Sequence, residues 1–129
     1  MRCFDHRTDL PKWILSGIGQ IVAEWAVLER ELAELVRMLM DVDIQIGRIA
    51  THTMNSKTRI AVANNLIEAR VHDGKLHRSL FDEFAKLGSH INEKLQWKRD
   101  MVAHGLWEKA EGKWWVMRLR ARRPTPKDP

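Results

Sequence analysis

The sequence predicts an all-α protein, an antiparallel helical bundle that ends in a small C-terminal β-hairpin. Apolar residues recur at alternating steps of four and three over residues 14–39, and a second long run keeps its apolar residues on one helical side over residues 76–102. After Gly105 the period falls to two, as in a strand. A chain of 129 residues suits one core, since two cores of half that size would each be marginal.

Residues 14–39 are the clearest helix. Ile14, Ile18, Ile21, Trp25, Leu28, Leu32, Leu35 and Leu39 make a bundle seam. Leu15, Val22 and Val36 widen it, so the helix is expected to touch more than one neighbour. Pro11 suits a position at or near the first turn. Residues 44–53 read as a brief helix or a turn after Asp41-Val42-Asp43. Ser56 or Asn55 stands where a cap is needed for the next helix, which runs through Ile60, Ala63, Leu66 and Ile67 to a break near His72-Asp73-Gly74.

The last long helix is expected to bury Leu76, Leu80, Phe84, Leu87, Ile91, Leu95 and Val102 on one side, with Phe81 and Met101 alongside. Gly105 is expected to close it in the left-handed conformation, leaving His104 at the helix end. The stretches Leu106-Trp107-Glu108 and 114–120 then pair across a turn in Lys109-Ala110-Glu111-Gly112-Lys113. Trp115, Met117 and Leu119 share one face of the second strand; Trp114, Val116, Arg118 and Arg120 share the other. The organisation is therefore a bundle over residues 1–107, a ribbon over 106–120 and a basic, proline-rich tail over 121–129, expected to be disordered.

Composition excludes several classes. Cys3 is the only cysteine, so no internal disulfide forms, and neither cysteine pairs nor close histidines offer a structural zinc site. Arg2, Asp5, Arg7 and Asp9 interrupt any apolar leader. Six charged residues break the apolar region 13–40, so it cannot span a membrane, and a cytoplasmic protein is expected. No cofactor motif is present: there is no Gly-rich phosphate loop, nucleophile elbow or pair of catalytic carboxylates. The net charge of +5 lies wholly in residues 112–129, which hold six basic residues against Asp128. A basic end on a neutral body suits binding to phosphates, and Arg118, Arg120, Arg122 and Arg123 are the candidate RNA contacts; a plain solubilising end has the same composition.

An arginine followed by a histidine after four to six intervening residues occurs twice, at Arg70/His77 and at Arg99/His104. About two such matches are expected by chance in this composition. Arg70/His77 spans the break at Gly74 and has nothing further to recommend it, whereas Arg99-Asp100-Met101-Val102-Ala103-His104 closes the final bundle helix. In that stretch the chain resembles the HEPN superfamily, in which an arginine, a polar residue and a histidine stand at the end of an antiparallel helical bundle. The architecture matches over roughly residues 12–107, and residue matches are confined to Arg99, Asp100 and His104. Asp100 departs from the commoner asparagine and makes the site more acidic.

The resemblance implies a metal-independent endoribonuclease of toxin–antitoxin or defence type, built across a homodimer, with a cognate antitoxin as a possible partner. The residue types agree with that chemistry. Cleavage by a 2′-hydroxyl needs proton transfer and a fixed positive charge on the phosphorane. Histidine exchanges protons near neutral pH, and arginine stays charged while gripping phosphate with parallel hydrogen bonds. Asp100 is placed to orient a His or Arg of a partner chain. One motif supplies one histidine, so a two-fold dimer would supply the second proton-transfer group. The alternatives are a catalytically inactive module that binds RNA or a protein, and a structural dimer in which His104 merely complements the helix dipole.

Other side chains carry weaker readings. His72 and His77 flank a turn near Asp73 without further ligands for a metal. Trp107, Trp114 and Trp115 read as packing for the ribbon before base-stacking platforms. Glu29, beside the seam residue Leu28, reads as a solvated helix charge.

Overall fold

The computed structural model describes residues 10–117. The elements are α1 (Lys12–Met40), α2 (Ile44–His52), α3 (Ser56–His72), α4 (Arg78–His90), a π-helical turn (Ile91–Leu95), α5 (Gln96–His104), β1 (Leu106–Ala110) and β2 (Lys113–Met117). The fold is all-α with a C-terminal antiparallel hairpin. No helix among the described residues is long and apolar enough to cross a membrane.

Local chemistry sets most boundaries. Pro11 stands just before α1 with φ −56°, and Asp41 ends that helix in the left-handed conformation at φ 57°. The segment read as helix or turn is helical: the Asp43 side chain accepts from the Ile46 N–H at 2.9 Å and starts α2. Asn55, not Ser56, caps α3, accepting from the Thr58 N–H at 2.8 Å. His77 caps α4 by accepting the Ser79 N–H on Nδ1, which gives this histidine a structural partner. Arg70, the arginine of the other motif match, is likewise structural; it donates from Nε to the Leu39 carbonyl at 3.1 Å and closes the end of α1.

Side-chain ties define the helix directions. Ser56, at the start of α3, bonds Glu29 of α1, and Arg70, near its end, bonds Leu39, so α1 and α3 run the same way. The intervening α2 packs on α1 and runs back from the end of α1 to the start of α3. Arg37 of α1 lies against Gly47, and its guanidinium reaches Glu34 and the Val42 carbonyl. That hydrogen bond from Arg37 holds the Glu34 carboxyl below its ordinary value. The run from α4 to α5 returns antiparallel to α1, with Trp25 facing Arg99. Trp25, Leu32, Ile60 and Ile91 form the core, with Leu28, Phe84 and Leu95 packed against it.

Part of the expected apolar stripe lies outside. Leu76 precedes α4, and Leu80 and Leu87 are 44% and 52% exposed. Gly88 takes the inner position because α3 comes too close for a side chain: a Cβ there would sit 2.6 Å from Ile60 Cγ2. On α1, Val36 is fully buried, but Leu15 and Val22 face outward. Gly105 does not adopt the expected left-handed conformation; its φ is −72° and ψ 160°, because the chain passes directly into β1. It is needed there for space, since a Cβ would lie 2.0 Å from the Met101 carbonyl oxygen.

In the hairpin, Trp107 pairs with Val116 and Lys109 with Trp114. Glu111 and Gly112 form a two-residue turn with φ 53° and 74°, the positive pair that matches the strand twist. Trp107 ties the ribbon to α5 through Nε1 and the Val102 carbonyl at 3.3 Å, while Trp115 is 56% exposed.

Gly88 and Gly17 make a paired test of this packing. Gly88→Ala should destabilise by about 1–3 kcal/mol through overpacking against Ile60. Gly17→Ala has open space and a helical backbone, so it should stabilise by about 0.5–1 kcal/mol. Urea unfolding of the two variants measures both signs.

Candidate active site at the end of α5

The site is built on Trp25, whose indole is buried where α1 crosses α3 and α5. A buried indole N–H must have an acceptor. Glu29, one turn along the same helix, supplies it: Trp25 Nε1 donates to Glu29 Oε1 at 2.9 Å. Ser56 Oγ donates to the same oxygen at 3.0 Å, and Arg59 Nη1 donates to the Glu29 carbonyl at 2.7 Å. Glu29 is therefore a half-buried, doubly held carboxylate instead of the solvated charge expected from sequence. The signal was present as the four-residue spacing of Trp25 and Glu29 on the core side of α1, but it has no meaning until the indole is known to be buried.

The ring then holds Arg99. Its Cζ lies 5.0 Å from the centroid of Trp25, an arrangement worth about 0.5–2 kcal/mol. Arg99 Nη1 pairs with Asp100 Oδ1 at 3.0 Å, so the aspartate orients its own neighbour within one chain. Arg99 Nε is buried with no partner. A buried polar atom left unpaired costs about 1–3 kcal/mol, and Arg59 Nε, Asn64 Oδ1 and Asn92 Oδ1 share this condition.

The π turn contributes to this placement. The Gln96 N–H reaches the Ile91 carbonyl five residues back, one residue more than an α-turn spans. Beyond it, Arg99, Asp100 and Ala103 are half-buried together with Leu95, Met101 and Val102, while Trp97 and Lys98 are exposed.

His104 is the last residue of α5 and is exposed. It shares with Trp25, Glu29, Arg99, Val22, Ala26 and Ala103 the wall of an open hollow of about 210 Å³. A second hollow of about 280 Å³, mainly apolar, lies on the other side of Arg99 between Ile21, Leu28, Leu95 and Val102. Neither reaches the range of roughly 300–1,000 Å³ typical of pockets that enclose a small molecule. The first has room for one group presented by a larger molecule. The chain matches no known protein family, no curated protein and no solved structure.

Two sequence-predicted site residues, Arg99 and His104, are thus brought to one hollow, and Asp100 is joined to Arg99. The candidate RNA contacts Arg118, Arg120, Arg122 and Arg123 lie outside the described residues. Among the described residues, no three His, Cys, Asp or Glu side chains gather into a metal-binding group.

A double-mutant cycle tests the stacked cation. Trp25→Leu and Arg99→Met should show a coupling of about 0.5–2 kcal/mol in unfolding free energy. Strict additivity would contradict the arrangement.

Proposed function

We propose that this chain is a HEPN-type, metal-independent endoribonuclease of toxin–antitoxin or defence type. The observation that carries the reading is the meeting of Arg99 and His104 at one open hollow, with the guanidinium already fixed on an aromatic face. A preorganised cation stabilises developing phosphorane charge without reorganising during the reaction. In this mechanism the 2′-hydroxyl attacks the adjacent phosphate, Arg99 holds the non-bridging oxygens, and His104 transfers a proton. The products are a 2′,3′-cyclic phosphate and a free 5′-hydroxyl.

The site itself balances Arg99 against Asp100, so general attraction for RNA falls to the basic residues of the C-terminal end. A homodimer fits the exposed apolar residues Leu15, Ile21 and Val22, which continue α1 past the bundle core beside the hollow. A cytoplasmic location and a cognate antitoxin belong to the same reading. The Arg99–Asp100 pair favours a second reading, a catalytically inactive module that binds RNA or a protein partner, because it occupies one of the arginine donors.

Wild-type protein should cleave RNA in excess EDTA and leave cyclic-phosphate ends, and His104→Ala should abolish this while remaining folded. Arg99→Ala should cost about 10²–10³ in rate, as for a removed transition-state donor. Undiminished cleavage by folded His104→Ala would contradict the assignment, and RNA binding without cleavage by wild type would favour the inactive module.

Light scattering should give about twice the 15.1 kDa chain mass. Deleting residues 122–129 should weaken binding equally for unrelated RNAs and flatten its salt dependence, because phosphate contacts carry no sequence information. An unchanged salt slope would make this end a solubilising one.

A further inference from the structure

The hollow contains a carboxylate that the motif does not include. Glu29 lines the same wall as Arg99 and His104. Its Oε1 accepts both the Trp25 and Ser56 hydrogen bonds, whereas Oε2 makes none among the described residues. The fold needs an acceptor at this point, and a glutamine carbonyl would also accept from Trp25 and Ser56, without the charge that strengthens those bonds. Beyond that charge, what a carboxylate adds over an amide is the capacity to take a proton.

Resting on the reading of this hollow as an RNA-cleaving site, we propose that Glu29 is the proton acceptor of the reaction and His104 the proton donor, so that one protomer carries both groups. The 2′-oxygen forms its bond to phosphorus as the hydroxyl proton passes to Glu29 Oε2. The bond from phosphorus to the 5′-oxygen breaks as the imidazolium proton passes to that oxygen. Arg99 holds the non-bridging oxygens throughout. The chain is left with a neutral carboxyl and a neutral imidazole, and exchange of one proton each with water restores both. A second histidine from a partner copy is then unnecessary for the chemistry.

The groups around Glu29 are Ser56 and Arg59 from α3, Arg99 with its partner Asp100 and His104 from α5, and Trp25 from its own helix. Arg59 is committed to backbone carbonyls of Glu29 and Thr51. Arg99 is the cation shared with the substrate.

Glu29→Gln is the test, because it keeps the acceptor for Trp25 and Ser56 and removes the base. The variant should remain folded, lose about 10²–10⁴ in kcat with little change in KM, and lose the acid limb of the kcat/KM profile. The alkaline limb, set by His104 losing the proton it must donate, should remain. Glu29→Asp should keep the acid limb at a lowered kcat, and serves as the readout if the glutamine variant fails to fold. Co-refolded Glu29→Gln and His104→Ala chains should not restore activity. Wild-type kcat and pH profile in Glu29→Gln would overturn this proposal alone, as would loss of the acid limb in Glu29→Asp. Restored activity in the mixed chains would overturn the placement of both groups in one protomer. A wild type that cleaves no RNA would overturn the reading of the site and this role with it.

Discussion

Trp25 meets two demands that pull in opposite directions. Its indole is large enough to fill the crossing of α1, α3 and α5, yet its N–H cannot be buried there without an acceptor. Glu29 resolves the conflict by placing a carboxylate inside the bundle edge, and Ser56 at the start of α3 steadies that carboxylate. The opposite side of the indole is then left as a rigid aromatic face against which α5 lays Arg99. Packing, polar satisfaction and the placement of the site's cation therefore follow from one buried N–H. Changing Trp25 disturbs all three together, so the core and the candidate site cannot be varied independently.

Features governed by neighbours along the chain were legible in the sequence. The four-and-three spacing from Ile14 to Leu39 reports α1, because one helical face must be apolar whatever packs on it. The break at Gly74, with φ +72°, and the hairpin turn at Gly112, with φ +74°, follow from the freedom of glycine at positive φ. His104 at the end of α5 follows from the change of period at Gly105.

Features governed by contacts across the fold were not legible. Leu80 and Leu87 look like core residues by spacing, but the inner position belongs to Gly88, and only the nearness of Ile60 explains why. Gly105 reads as a left-handed cap until Met101 and Val116 show that the constraint is space. In the candidate site, Arg99, Asp100 and His104 are visible as a motif, while Glu29 looks like any helix charge until Trp25 and Ser56 are seen to hold it.

Charge is unevenly divided along the sequence. The stretch through residue 111 is neutral in sum, and the pairing of Arg99 with Asp100 keeps the hollow nearly so, leaving the net positive charge to residues 112–129. On the proposed reading, attraction and chemistry would reside in different places, with phosphates drawn by the basic C-terminal residues and held at the site by the Arg99 guanidinium. The direct measurement is an NMR titration with a short oligoribonucleotide methylated at its 2′-oxygens, which binds but cannot be cleaved. Shifts centred on the Arg99 side chain, the Trp25 indole N–H and the His104 ring are expected. Shifts confined to the groove between α1 and α2, where Arg30 and Arg48 lie, with the Trp25 indole unmoved, would contradict this reading of the site.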